Sequence, residues 1–178
     1  LEPFLIYAIK RKIPGREEKS AEPVTFESLV TANAKNSITY NDVVYVPSDM
    51  HHYTVSIRHE EDPENPVLNV ITFYYEEQTT QFNYVIVGSA GCGSLTAGSE
   101  RVPMYSGVAD GSTAIANEGF KFDGWFYDEA CTLPVNDKVE SIVGNKLTPA
   151  KKEGQYKAQT FYAKFSETYA SLTIQNTG

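Results

Sequence analysis

Apolar and polar residues alternate with a period of two in short runs along most of the chain, the pattern of strands with one covered face. The runs fall at residues 4–9, 38–46, 53–59, 70–76, 82–87, 101–105, 120–127 and 160–165. They are rich in Val, Ile, Thr, Tyr and Phe, side chains that suit a pleated, half-buried surface. Helical periodicity is scarce. Residues 28–34 place Leu29, Val30 and Asn33 on neighbouring turns, with Thr25 or Ser28 as a cap, and residues 112–117 lie between Gly111 and Gly119. Each predicts two helical turns at most. Gly and Pro mark loops at Pro14-Gly15 and at residues 62–66, 88–93 and 144–154. The expected fold class is therefore mostly β, at the β-rich end of α+β.

Residues 78–81, Gln-Thr-Thr-Gln, are polar, uncharged and free of Gly, and they separate two strong strand patterns. A linker is expected there. One internal echo supports the cut: Thr72-Phe73-Tyr74 recurs as Thr160-Phe161-Tyr162, about 88 positions later. Each half would then close on the same kind of strand, giving two modules near the small end of independently stable domains.

The 178 residues include 12 Tyr, 9 Phe and 1 Trp, far more core material than a disordered chain carries. Fifteen Lys and Arg stand against 23 Asp and Glu, a net charge of −8, which disfavours a phosphate backbone as partner. No nucleic acid is expected. The apolar runs fall well short of the roughly 20 residues of a membrane-spanning helix, so no membrane insertion is expected. The chain begins at Leu1 and reads as a piece of a longer polypeptide, so the lack of a leader says nothing about export.

Candidate chemistry is thin. Cys92 and Cys131 are the only cysteines. Three readings stay open: a disulfide closing a loop of about 39 residues and contributing roughly 4 kcal/mol, two buried thiols, or a pair too far apart to bond. A nucleophilic Cys92 would need a base from His51, His52 or His59, all in the other half, and nothing basic follows it to lower its pKa. Neither CxxC nor HxxxH spacing suggests zinc. The pairs Glu17-Glu18, Glu60-Glu61 and Glu76-Glu77 would point to opposite faces of strands, which suits solvated edges better than a hydrolase. Residues 88–93 lack the Gly-Lys-Ser/Thr ending of a phosphate cradle. No catalytic, metal or cofactor site is expected. Trp125, preceded by Gly124 as a candidate bulge, is expected to fill a core. Exposed beside Phe126 and Tyr127, it would instead offer a stacking surface for sugar rings.

The run Gly119-Phe120-Lys121-Phe122-Asp123-Gly124-Trp125-Phe126-Tyr127-Asp128-Glu129-Ala130-Cys131, followed by Phe161-Tyr162-Ala163-Lys164-Phe165, resembles the Listeria-Bacteroides repeat, or internalin B-repeat, over roughly residues 81–167. Residues 1–77, ending in Asn69-Val70-Ile71-Thr72-Phe73-Tyr74-Tyr75-Glu76, are similar to a mucin-binding-protein-type module, loosely so over residues 1–36. Both resemblances imply small β-grasp, ubiquitin-like modules strung along exported bacterial surface proteins. They imply a module at 1–77, a linker at 78–81, a second module at 82–168, and in 169–178 the start of a further domain. They also imply an extracellular setting, which favours a Cys92–Cys131 disulfide. Core positions would be Phe120, Phe122, Trp125, Phe161, Tyr162 and Phe165 in the second module, with Val70, Ile71, Phe73 and Tyr75 in the first. The implied role is a non-enzymatic stalk or spacer in an adhesin, monomeric, with edge pairing through 171–175 open to it. The alternative is a module that binds a host glycan or surface protein through Trp125, Phe126 and Tyr127.

Overall fold

The computed structural model describes residues 5–24, 29–48, 52–56 and 69–169. All regular structure among them is β, and contacts divide the chain into two compact units, Leu1–Gln78 and Thr79–Gly178.

In unit 1 the strands are β1 (Leu5–Ile13), β2 (Arg16–Val24), β3 (Leu29–Asn33), β4 (Ile38–Tyr40), β5 (Val43–Pro47), β6 (His52–Ser56) and β7 (Asn69–Glu77). Pro14 and Gly15 join β1 to β2, Gly15 taking the positive φ of 77° that the second turn position of a type II turn requires. Asn41 and Asp42, at φ 50° and 63°, form the tight turn that splits the expected strand 38–46 into β4 and β5. Five strands form one sheet in the order β2-β1-β7-β5-β4, and β3 pairs with β6 in a separate ribbon. Ile13, Ala32, Ile38, Tyr45, Ile71, Phe73 and Tyr75 form the core among the described residues.

Unit 2 comprises β8 (Thr79–Val87), β9 (Gly93–Leu95), β10 (Ser99–Pro103), β11 (Ser112–Ala116), β12 (Phe120–Phe126), β13 (Ser141–Val143), β14 (Lys146–Thr148) and β15 (Gln159–Glu167). One sheet runs β10-β8-β15-β12 and a second runs β13-β14-β11-β9. Their inner faces share one core: Phe82, Tyr84, Val102, Trp125, Phe161, Ala163 and Phe165 from the first meet Ala114 and Leu147 from the second.

Three expectations are corrected. The segment predicted as helix 28–34 holds β3 and the segment 112–117 holds β11. In β11, Ser112 and Ala114 are buried while Ile115 is exposed, a two-residue period, and so short a helix would not repay the cost of its first turn. The linker expected at 78–81 shrinks to Gln78, since Thr79, Thr80 and Gln81 belong to β8. Their β-branched and polar side chains pair with β10, where Val102 lies opposite the buried Thr80. The expected tail segment 171–175 lies outside the described residues.

The sheet edges are blunted. β2 carries five charged residues and Pro23, β4, β9 and β13 are three residues long, β10 ends in Pro103, and β12 breaks register between Phe122 and Gly124.

Candidate functional site

Each unit brings its first and last described strands together in parallel in the interior of a sheet. In unit 1, β1 lies against β7 from Tyr7↔Asn69 to Lys12↔Tyr74. In unit 2, β15 lies against β8 from Gln159↔Phe82 to Lys164↔Val87. The repeated Thr-Phe-Tyr falls within both last strands, and its Phe73 and Phe161 are both buried inward. Parallel strands cannot be joined by a tight turn, so the remaining strands of each unit lie in the chain between the paired first and last ones. β7 ends at Glu77 and β8 begins at Thr79, so one residue separates the two strand pairs along the chain.

The motif around Trp125 belongs to the interior of unit 2. Trp125 is 3% exposed and its indole N–H donates to the Asn145 carbonyl at 3.0 Å. Phe122 meets it edge-on with centroids 5.8 Å apart and packs against Phe165 at 5.6 Å. The Tyr84 ring stacks on Phe161 at 5.9 Å and meets Trp125 at 6.0 Å. The slip in register at Gly124, whose φ is 143°, turns Trp125 inward opposite Ala163. Phe120 is half-buried against the same core.

Tyr127 also faces the core, its ring 5.9 Å from that of Phe161 and its hydroxyl donating to Glu140 Oε1 at 3.4 Å. Burial pushes its pKa up, aided by the Glu140 charge. Phe126, next to the buried Trp125, takes the opposite face of the sheet. Trp125, Phe126 and Tyr127 therefore form no common patch, which corrects the expected alternative ligand surface. Tyr162 is likewise corrected as a core residue: flanked by the buried Phe161 and Ala163, it stands on the outer face.

Two carboxylates that sequence reading missed hold loops against this core. Glu140 is 3% exposed; its Oε2 accepts the Ala150 N–H at 2.7 Å and its Oε1 lies 3.0 Å from Lys152 Nζ. Glu100 accepts the Tyr84 hydroxyl at 2.5 Å and the N–H groups of Asp110 and Gly111 at 2.8 and 2.9 Å. Burial, then the bond to Glu100, drives the Tyr84 pKa far upward, so the phenol stays a donor. Buried Ser112 exchanges two hydrogen bonds with the Ala97 backbone, and the Tyr156 hydroxyl accepts the Ala109 N–H. Nothing in local sequence separates these residues from other polar loop positions.

Both cysteines are free thiols, which corrects the expected disulfide. Cys92 is buried in the core beside Gly88, where its Sγ would lie 2.8 Å from an added Cβ, and Gly93 abuts the Phe165 ring. Cys131 is half-exposed in the turn after β12, where the Asp128 carboxylate accepts bonds from Thr132 and Leu133. Burial raises the Cys131 pKa, while the Lys164 ammonium pulls it down. Lys164 and Phe165 are neighbours on β15 and point to opposite faces. Cys92 thus lies in the core of unit 2, and Cys131 in a half-exposed turn outside it.

Among the described residues the other candidates do not assemble into a site. His51, His59, Glu60 and Glu61 lie outside the described residues, and His52 falls on β6 in unit 1. Glu17 and Glu18 sit on edge strand β2, where Lys12 and Lys35 engage them at 3.7 and 3.4 Å. Glu76 is exposed and Glu77 half-exposed at the end of β7. Among the described residues no three His, Cys, Asp or Glu group to hold a metal ion, and no helix is long and apolar enough to cross a membrane. Comparison with protein-family models, curated proteins and solved structures finds no match.

Proposed function

We propose that the chain is a non-catalytic, load-bearing segment of an exported bacterial surface protein, built of two tandem β-grasp-like modules. The observation that carries this reading is the parallel pairing of first and last strands in each unit. Tension applied at the two ends of such a unit pulls the paired strands past each other, loading their hydrogen bonds together in shear. The single residue between β7 and β8 leaves little slack between one pair and the next. The β-grasp assignment draws support from the same pairing and from the sheet order around it, with the second sheet of unit 2 closing the core. An extracellular, adhesin-type setting rests on the resemblance of the motif around Trp125, and the free thiols leave hydrogen bonds and packing to carry the load.

Single-molecule stretching tests this. Pulled from its ends, the chain should rupture in two separate events. For unit 2, the span Thr79–Glu167 should release about 300 Å of contour length, against roughly 130 Å less were Cys92 and Cys131 joined. Attachment at positions 87 and 164, the same end of the β8–β15 pair, peels the strands apart one bond at a time. That geometry should yield at much lower force. Equal forces in the two geometries would overturn the load-bearing reading.

A further inference from the structure

The outward face of the sheet β10-β8-β15-β12 has a composition unlike the rest of this acidic chain. Register places Val85, Tyr162 and Phe126 side by side across three strands on that face. Beside this row, Ser99, Asn83 and Thr160 form a second one of amide and hydroxyl groups. On the other side stands Lys164, its Nζ 5.8 Å from the Phe126 ring and in no salt bridge among the described residues. Arg101 and Lys121 also face outward, opposite Gln81 and Ser166. Asp123 is the one acid that these strands direct outward among the described residues. It is held below the usual carboxylate range by the Ser166 hydroxyl, then by Lys121, 3.2 Å away, and last by the charge of Lys164. Three cations thus share this face with one carboxylate, and Lys121 is the one paired with it, in a chain of net charge −8.

We propose that this face binds a carboxylate-bearing saccharide. Neighbouring strands lie about 4.8 Å apart and successive same-face residues about 6.6 Å apart, so the row Val85–Tyr162–Phe126 and Lys164 together match the span of one or two sugar rings. An aromatic ring takes the C–H face of a sugar by stacking, the Asn83 amide and Thr160 hydroxyl reach ring hydroxyls, and Lys164 meets the carboxylate. A row of three side chains is far smaller than the roughly 800 Å² per partner of a stable protein interface, which favours a small ligand over a protein. Charge complementarity selects an acidic sugar over a neutral one. The site differs from the patch around Trp125 and does not depend on the load-bearing reading.

The test is an NMR titration of the full 15N-labelled chain with tetragalacturonate, and with maltotetraose as neutral control. Tetragalacturonate should shift amide signals of β8, β15 and β12 around Val85, Tyr162 and Phe126, and bind at least tenfold more tightly than maltotetraose. Lys164→Gln should abolish that preference, and Tyr162→Ala should weaken binding about tenfold. Should Tyr162→Ala fail to fold, Lys164→Gln, a surface change, decides the matter alone. No shifts at this face with millimolar tetragalacturonate, equal binding of the two oligosaccharides, or a preference that survives Lys164→Gln would each overturn the proposal.

Discussion

Gly111 shows how little room single residues of unit 2 have. Its φ is 77°, and a Cβ added there would lie 2.0 Å from the Leu147 carbonyl oxygen, backbone that belongs to β14 and cannot swing aside. Its N–H meanwhile donates to Glu100. Gly111→Ala should lower unfolding free energy by roughly 2–4 kcal/mol in denaturant melts, combining backbone strain with displacement of a strand. The cysteines differ in the opposite sense, one sealed and one reachable. Native protein should present a single thiol to Ellman's reagent, Cys131, and release Cys92 only on unfolding. Because burial raises the Cys131 pKa, its thiolate is scarcer than that of an ordinary cysteine at pH 8. Its reaction rate should therefore still be climbing above the usual titration point near about 8.5. A plateau below that point would contradict the assigned environment.

At the scale of elements, turn chemistry sets both what the sequence reveals and what it hides. Asn41 and Asp42 both hold positive φ in the β4–β5 turn, and the second of these positions is the one glycine favours in such turns. Asp42→Gly should raise stability by about 0.5–1 kcal/mol in thermal or chemical unfolding, by relieving the left-handed conformation of an L side chain. The same turn explains a misreading: Asn-Asp is a weaker signal than Asn-Gly, so residues 38–46 read as one strand. Strands with one buried face, such as β7, β8, β12 and β15, were legible because burial forces alternation, seen in Phe161, Ala163 and Phe165 against Tyr162 and Lys164. β2 was not legible, since an edge strand of Arg, Glu and Lys has no apolar face to display. The loop-holding carboxylates Glu100 and Glu140 depend on partners 10 or more residues away, such as Tyr84 and Ala150, and no local pattern announces them. The outward row Val85–Tyr162–Phe126 arises from register between three strands, which sequence alone does not fix.

For the whole molecule, the decisive question is whether the two halves are separate folding units. Among the described residues the two hydrophobic cores share no member: one falls within Ile13–Tyr75 and the other within Phe82–Phe165. The strand pairings follow the same division, since no strand of residues 5–77 pairs with one of residues 79–167 among those described. A fragment of residues 79–169 retains both sheets of unit 2, its complete aromatic cluster and the buried Glu100 and Glu140 networks, so nothing its core requires is removed. It should fold alone, with a cooperative denaturant transition and an amide spectrum that matches the full chain across β9 to β15. Its m-value should fit about 90 residues of newly exposed chain rather than 178, because m scales with the surface released on unfolding. The full chain should then melt in two transitions, one coinciding with that of the fragment. A fragment that stays unfolded would mean that unit 2 draws stability from residues 1–78. The two parallel strand pairs would then yield together under load, and the two-rupture expectation would fail with them.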